Sequence, residues 1–359
     1  MKLASRLFGA VLFTLLTIAP AIAVDPVTVV VDGLHNPRGL TFGPGGRLYV
    51  AQAGTGADDG KITEIRYPWL PNPATRDLVT GLISVIDEDQ AIGVSGLSAI
   101  GNGTLYAIMG LSNAGTGSHS RLGHLLKVSQ GGQIRDVANV GDFDYAWTSD
   151  HPELDPDYPG PARDFPDANP YGILALSNRL YVADAGANTL NLVHPNGSIQ
   201  ILAYFPNKII ADAIPTCIAQ GPDGALYVGT LALVDSIVLG PSAIVYRVDP
   251  RAADPNDMAT VLNLATPWAT GLWPINGCAF GPDGSFYASQ LTTKGLPDFP
   301  FPASGDVVKI PFANPASHTF LTGGRLAFPA GVAVGPDGND YVANGAAFGA
   351  PGQVVRLNP

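Results

Sequence analysis

A short pattern of apolar and polar positions recurs along the chain, and residues 277–288 show it most clearly. Each copy has an apolar run, a turn built mainly from Gly, Pro, Asp, Asn or Ser, and a second apolar run with an aromatic residue. Close copies lie at 39–50, 216–228 and 331–342, and weaker copies lie at 96–107 and 172–182. Two half-buried strands joined by a turn whose Gly takes positive φ form a β-hairpin. The pattern therefore predicts six hairpins of one design, and hence a repeat architecture.

Further strand-like runs follow each hairpin. The predicted third and fourth strands are residues 61–67 and 75–80, 123–128 and 134–140, 190–193 and 199–202, 244–248 and 259–264, and 305–310 and 319–321. Four antiparallel strands per repeat are typical of a propeller blade. The sixth repeat has only residues 353–357 after its hairpin, but a spare β-branched run stands at residues 27–31. We therefore predict an all-β, six-bladed, NHL-like β-propeller. The N-terminal strand closes the ring by pairing with the C-terminal blade, because closure removes two exposed sheet edges.

The first residues are typical of a secretory signal peptide. Lys2 and Arg6 precede an apolar run at residues 7–18, and Ala21 and Ala23 form an Ala-x-Ala cleavage site. We predict a signal peptide at residues 1–23 and a single propeller domain at residues 24–359. The mature protein is expected to be secreted or periplasmic, with no membrane span.

Composition narrows the range of partners. The 359-residue chain carries a formal charge of −11, and only 14% of its residues are charged. This charge argues against nucleic acid and anionic membranes as partners, since both bind through basic patches. It is compatible with cationic or neutral ligands and with a divalent metal ion. We expect a monomer that binds a small molecule or a protein.

The two cysteines are predicted to be free, buried thiols. Cys217 and Cys278 each follow the residue that opens a repeat, in the position that Leu40 and Ile173 hold elsewhere. A Cys in an apolar position acts as a small hydrophobic residue. Matching positions of neighbouring blades are expected to lie too far apart for a disulfide, although an exported protein can oxidise its thiols.

Irregular insertions are predicted to gather on one face of the propeller. They lie at residues 110–121, 142–169, 231–241 and 291–304, whereas the Gly-Pro-Asp-Gly turns belong to the opposite face. Insertions on one face usually mark the binding side. The acidic, Pro-rich segment 142–169 has clustered carboxylates for calcium but no EF-hand spacing, so a solvated crossover is favoured over a metal site.

Polar residues open the innermost strands and are expected to ring the mouth of the central channel. The candidate binding residues are Asn36, Arg38, Asn169, Tyr171, Thr216 and Asn276, with Asp184 and Asn188 at the end of a second strand. These side chains either converge on a ligand or cap turns around a water-filled channel. Asp184 either closes the Gly186 turn or faces the channel as a metal ligand or base. Both interpretations remain open from the sequence.

Other catalytic chemistry has little support in the residues. The six histidines show no zinc-ligand spacing, and no Gly-x-Ser-x-Gly elbow or Cys–His pairing is present. No catalytic residue is therefore assigned. Trp69, Trp147, Trp268 and Trp273 are predicted in connections, where they would either stack on a ligand or seal the gaps between blades.

The chain resembles the ScyD/ScyE family of secreted NHL-like propellers over essentially its whole mature length. The resemblance rests on the motifs at residues 36–40, 167–172, 182–188, 214–216 and 352–356. It implies a secreted or periplasmic propeller, associated with the biosynthesis of scytonemin-like pigments. A more distant similarity to gluconolactonase-like propellers implies a divalent metal, such as calcium, in the channel. Asp184 and Asn169 match part of that metal site, but its early Glu has no counterpart.

Two functions follow from these observations. The first is a binding or accessory propeller that holds a small, aromatic ligand or a partner at the face with the insertions. The alternative is a metal-dependent hydrolase, lactonase or lyase, with its site at the channel mouth and Asp184 as ligand or base.

Overall fold

The protein is a six-bladed β-propeller, described by a computed structural model over residues 25–117, 121–155, 165–206, 212–294, 304–347 and 350–358. The predicted signal peptide, residues 1–23, lies outside these ranges. Each blade is a four-stranded antiparallel sheet whose strands are arranged one after another outward from the central axis. The fold class predicted from the hairpin pattern is therefore confirmed.

The strands follow the chain order except in the last blade. The N-terminal strand is β1 (Val27–Leu34). Blade one contains β2 (Pro37–Gly43), β3 (Arg47–Gln52), β4 (Gly60–Arg66) and β5 (Ala74–Leu82), and the small hairpin β6 (Val85–Asp87) and β7 (Gln90–Ile92) follows it. Blade two contains β8 (Val94–Ala99), β9 (Leu105–Met109), β10 (His124–Val128) and β11 (Ile134–Asn139), with the short helix α1 (Asn113–Thr116) between β9 and β10. Helix α2 (Val140–Asp150) leads to blade three, which contains β12 (Pro170–Ala175), β13 (Leu180–Asp184), β14 (Thr189–Val193) and β15 (Ile199–Tyr204).

The second half of the chain repeats this arrangement. Blade four contains β16 (Pro215–Gln220), β17 (Leu226–Thr230), helix α3 (Leu233–Leu239), β18 (Ala243–Val248), helix α4 (Met258–Asn263) and β19 (Thr266–Leu272). Blade five contains β20 (Ile275–Phe280), β21 (Phe286–Gln290), β22 (Asp306–Ile310) and β23 (Thr319–Phe320). Blade six contains β24 (Val332–Val334), β25 (Asp340–Asn344) and β26 (Gly352–Leu357).

Strand β1 supplies the fourth strand of blade six. It pairs antiparallel with β26, and Val29 lies opposite Val355 in the register. Asn358 also donates its backbone N–H to the Pro26 carbonyl at 2.8 Å. The spare N-terminal strand thus occupies the position that the incomplete repeat predicted.

Two predictions about local structure are wrong. The run at residues 259–264 was predicted as a strand, but residues 259–263 belong to helix α4, and the fourth strand of blade four is β19. Asp257 accepts the Ala259 N–H at 3.2 Å and so begins a helix there. The acidic segment 142–169 is not simply a solvated crossover, because most of α2 lies within it and Asp144 is completely buried.

The innermost strands of adjacent blades touch through a ring of glycines. A Cβ added at any of them would lie within 2.7 Å of a backbone atom in the next blade, closer than real side chains approach. The matching glycines of blades one, two, three, five and six are Gly39, Gly96, Gly172, Gly277 and Gly331. Only glycine permits this backbone contact. In blade four this position holds Cys217 instead of a glycine. The strand register shows the equivalence, because Cys217 lies opposite Gly229 on the second strand, just as Gly172 lies opposite Ala183 in blade three.

The two cysteines form a disulfide, so the prediction of free thiols is wrong. Cys217 and Cys278 lie 5.7 Å apart between their Cα atoms, inside the range for a disulfide. The expected separation was too large because backbones touch at this level of the channel. Cys217 also occupies the glycine position rather than the apolar one, whereas Cys278 does occupy the apolar position, opposite Ala288.

Candidate functional site

The mouth of the central channel opens into a cavity of about 210 Å³. Its wall is formed by the first residues of the innermost strands and by the loops that follow the second strand in blades three to six. Five of the eight candidate residues line it: Arg38, Asn169, Tyr171, Thr216 and Asn276. Its apolar wall consists of Ile92, Ala185, Ile214, Leu231, Leu291, Ala346 and Ala347. The structure therefore brings most of the predicted residues together.

Arg38 is the charged residue among those that line this cavity. Its Nη2 donates to the Ala91 carbonyl at 2.8 Å, and its guanidinium carbon lies 5.6 Å from the centre of the Tyr171 ring. Ser95 takes the matching position in blade two, and its small side chain leaves Arg38 room to reach towards Tyr171 of blade three. Arg38 Nε is buried and has no hydrogen-bond acceptor within the described part of the chain. The positive charge of this guanidinium favours an anionic ligand oxygen in the cavity.

Hydrogen bonds between or within blades hold the polar residues of the wall. Thr216 Oγ1 donates to the Ile275 carbonyl of blade five at 2.7 Å, and Asn276 Nδ2 donates to the Pro329 carbonyl at 3.3 Å. Asn169 Oδ1 accepts the Leu111 N–H at 3.0 Å. Because these side chains are already positioned, a ligand would lose little entropy in ordering them.

The other three candidate residues do not line the cavity, and each forms hydrogen bonds that hold the surrounding backbone. Asn36, in a left-handed conformation with φ of 47°, donates from Nδ2 to the Gly54 carbonyl at 2.7 Å. Asn188 is completely buried, and its Oδ1 accepts the Ile214 N–H at 2.9 Å. Asp184 is also completely buried, and its Oδ1 accepts the N–H groups of Asn169, Gly186 and Ala187 at 2.7–3.0 Å. Asp184 thus closes the turn, as one of its two interpretations stated.

Asp184 has a partner that the sequence pattern did not reveal. Asp144 of α2 is completely buried beside it, and Asp144 Oδ1 and Asp184 Oδ2 are both buried without a donor among the other described residues. Burial raises the pKa of both groups, and the charge of Asp184 raises the pKa of Asp144 further. Asn191 Nδ2 donates to Asp144 Oδ2 at 2.7 Å. We conclude that Asp144 carries a proton shared with Asp184, since Asp184 already accepts three backbone N–H groups.

The cavity wall does not fit the divalent metal that gluconolactonase-like propellers suggest. Calcium prefers several carboxylate and carbonyl oxygens. The charged group on the described wall is a cation, and Asp184 points into the turn rather than the cavity. Among the described residues, no group of three or more His, Cys, Asp or Glu is arranged to hold a metal ion.

Sequence reasoning missed part of the wall. Gln90 and Ile92 come from the β6–β7 hairpin, which lies between blades one and two and carries no repeat signature.

The four tryptophans do not line the cavity as described. Trp268 lies in β19, 5.7 Å from the Phe286 ring, and seals the interface between blades four and five. Trp147 lies in α2, 6.0 Å from the Tyr204 ring.

Comparisons with solved structures agree on the propeller fold. Regucalcin, a calcium-binding protein from Agrobacterium tumefaciens, superposes with a TM-score of 0.54 at 13% identity, over 92% of each chain. Luciferin-regenerating enzyme has a TM-score of 0.54 at 12% identity, over 93% of this chain and 95% of that chain. Virginiamycin B lyase from Staphylococcus aureus has a TM-score of 0.51 at 14% identity, over 93% of this chain and 84% of that chain. At these identities the likeness concerns the fold alone.

No protein-family model and no curated protein matches this sequence. The ScyD/ScyE resemblance is thus supported only as far as the six-bladed propeller. None of the helices in the described ranges has the length and apolar character needed to cross a membrane.

Proposed function

We propose that this protein is a binding or accessory propeller whose channel mouth holds a small carboxylate ligand with an apolar or aromatic body. The observation that carries the proposal is Arg38, a guanidinium in the otherwise uncharged wall of the cavity as described. Arginine binds carboxylates in a planar, two-point geometry. The ligand carboxylate would pair with the positive charge of Arg38.

The remainder of the wall supports the apolar part of this ligand. Ile92, Ile214, Leu231 and Leu291 offer aliphatic surface, and the Tyr171 ring offers an aromatic face. The cavity of about 210 Å³ is below the ~300–1,000 Å³ typical of drug-sized sites. A ligand with one or two fused rings is the appropriate size. The secreted or periplasmic location, and a role in pigment biosynthesis like that of ScyD/ScyE proteins, belong to this proposal.

The first test measures binding of an aromatic carboxylate by isothermal titration calorimetry. Indole-3-acetate is expected to bind, and its neutral amide, indole-3-acetamide, to bind at least ~10-fold more weakly. A hydrogen bond to a charged group contributes about 1.5–3 kcal/mol. Arg38→Gln should therefore weaken indole-3-acetate binding by roughly 10-fold or more, and Arg38→Lys should retain part of the affinity.

The matched control is Arg179→Gln, which removes an exposed arginine from the turn between β12 and β13, at the other end of the channel. It should leave the affinity unchanged. Equal binding of the acid and the amide, or equal losses in the Arg38→Gln and Arg179→Gln variants, would refute a carboxylate site at the mouth.

A further inference from the structure

Blade six carries a carboxylate where every other blade carries a buried apolar residue. Asp340 begins the second strand of its blade and lies opposite Val334, in the register of Phe286 opposite Phe280. The residues in the matching position of blades one to five are Leu48, Leu105, Leu180, Leu226 and Phe286, all of which are buried. Asp340 thus departs from the repeat at a position that normally packs against the preceding blade.

This departure coincides with a cavity of about 410 Å³ between blades five and six. In the interface between blades four and five, the Phe286 ring fills the corresponding space, 5.7 Å from Trp268 and 5.2 Å from Phe280. The shorter Asp340 side chain leaves this volume open. The cavity lies at the face of the Gly-Pro-Asp-Gly turns, opposite the channel mouth, since Pro282 and Gly338 line it.

The charges around the cavity leave Asp340 without a cation of its own. Lys309 Nζ lies 2.7 Å from Asp283 Oδ2 and 5.4 Å from the centre of the Tyr287 ring. The same pairing recurs in blade four, between Arg247 and Asp223, so it belongs to the repeat. No donor within the described ranges forms a hydrogen bond to the Asp340 carboxylate.

The remaining wall combines apolar side chains with Asn339 and Asn358. Phe320, half exposed, and Leu321 come from the outer edge of blade five, and Val334 and Leu357 come from blade six. We propose that this cavity binds a small molecule with a protonated amine on an apolar or aromatic body, and that Asp340 is the counter-charge of the amine. The chain charge of −11 favours the approach of such cations.

The ionisation of Asp340 gives the proposed site a pH dependence. Burial raises its pKa to about 6, although Lys309 opposes the shift, and Asp283 and Asp337 add to it. Tyr287 is the further titratable group that faces the cavity. An amine that stays protonated should bind the ionised carboxylate, so its affinity should fall as pH decreases through about 6.

The experiment is a calorimetric titration of the full mature chain with tryptamine, compared with 3-ethylindole, its uncharged analogue. Tryptamine should bind at pH 7.5 and bind up to ~10-fold more weakly at pH 5, since a carboxyl of pKa near 6 is mostly protonated there. Asp340→Asn keeps the shape and removes the charge, and it should weaken tryptamine binding by roughly 10-fold or more. Asp340→Leu restores the residue of other blades, and it should abolish binding while raising Tm.

Asp89→Asn, in the exposed turn between β6 and β7, is the matched control and should bind tryptamine as the parent does. Three results would overturn the proposal. They are no saturation by tryptamine up to about 10 mM, equal affinities for tryptamine and 3-ethylindole, and unchanged binding in the Asp340→Asn variant.

Discussion

A shared proton between two buried aspartates joins helix α2 to blade three. Asp144 and Asp184 are both completely buried, and burial raises the pKa of each carboxyl. Asp144 is on the segment that crosses from blade two to blade three, and Asp184 accepts the backbone N–H of Asn169, which lines the mouth cavity. The protonation of one carboxyl therefore affects the wall of the proposed binding site.

The pH dependence of stability follows from the direction of these pKa shifts. A carboxyl whose pKa is higher in the folded state binds protons more tightly there than in the unfolded state. Its contribution to stability is therefore fully present below the unfolded-state pKa, and the free energy of unfolding decreases as pH rises from that value through the folded-state pKa. Asp144→Asn mimics the protonated form, because its amide can donate to Asp184 Oδ2. We expect this variant to raise Tm by a few degrees at alkaline pH and to flatten the dependence of Tm on pH.

Asp150→Asn on the same helix is the control for this variant, since Asp150 is exposed. It should leave the pH profile of Tm unchanged. A parent protein whose Tm rises steadily between pH 5 and pH 9 would contradict the shared proton.

At the scale of the element, the innermost strands β16 and β20 are joined by a covalent bond between neighbouring blades. Cys217 replaces the glycine of the ring, and its sulfur bonds to Cys278 of the next blade. Thr216 Oγ1 donates across the same junction to the Ile275 carbonyl. The junction between blades four and five thus combines a covalent bond with the hydrogen bonding and packing of the repeat.

Removing the disulfide should destabilise the protein measurably. It spans 61 residues of sequence, and a loop of this length corresponds to roughly 4 kcal/mol in the chain-entropy estimate. Cys217→Ala and Cys278→Ala should each lower the free energy of unfolding in denaturant titrations, and the double variant should lose little more than either one. Additive losses, or two titratable thiols in the unreduced, unfolded parent, would show that the bond does not form.

At the scale of the whole molecule, stability depends on closing the ring. Strand β1 pairs along β26, and Leu34 and Val354 are buried in one apolar cluster with Leu40 of blade one. Without β1, blade six would expose the edge of β26, and two neighbouring blades would lose apolar contacts.

A chain that begins at His35 should therefore melt at least ~5 °C below one that begins at Asp25, and it should associate at high concentration through the exposed edge. Differential scanning calorimetry and light scattering measure the two effects. If the shorter chain has the same Tm as the longer one, β1 does not contribute to closing the ring.

Much of the fold could be predicted because its signals are local. Apolar alternation on either side of a turn such as Gly281 to Gly284 indicates a hairpin without knowledge of the rest of the chain. The strand prediction failed where the apolar pattern did not distinguish a strand from a helix. The run at residues 259–264 is apolar enough for either one, and the N-cap at Asp257 favours the helix. Asp340 was visible in the sequence, because Asp precedes Tyr341 where other repeats have Leu or Phe.

The sequence by itself determined the six repeats, the spare strand and the polar openings of the innermost strands, since each depends on neighbouring residues and the period of a strand. Only the tertiary structure decided how closely the blades approach at the axis. That distance joined Cys217 to Cys278 and brought Arg38 to Tyr171, and the packing of helix α2 on blade three buried Asp144 against Asp184. These pairs are far apart in the chain, and their contact depends on the packing of whole blades, which no local pattern encodes.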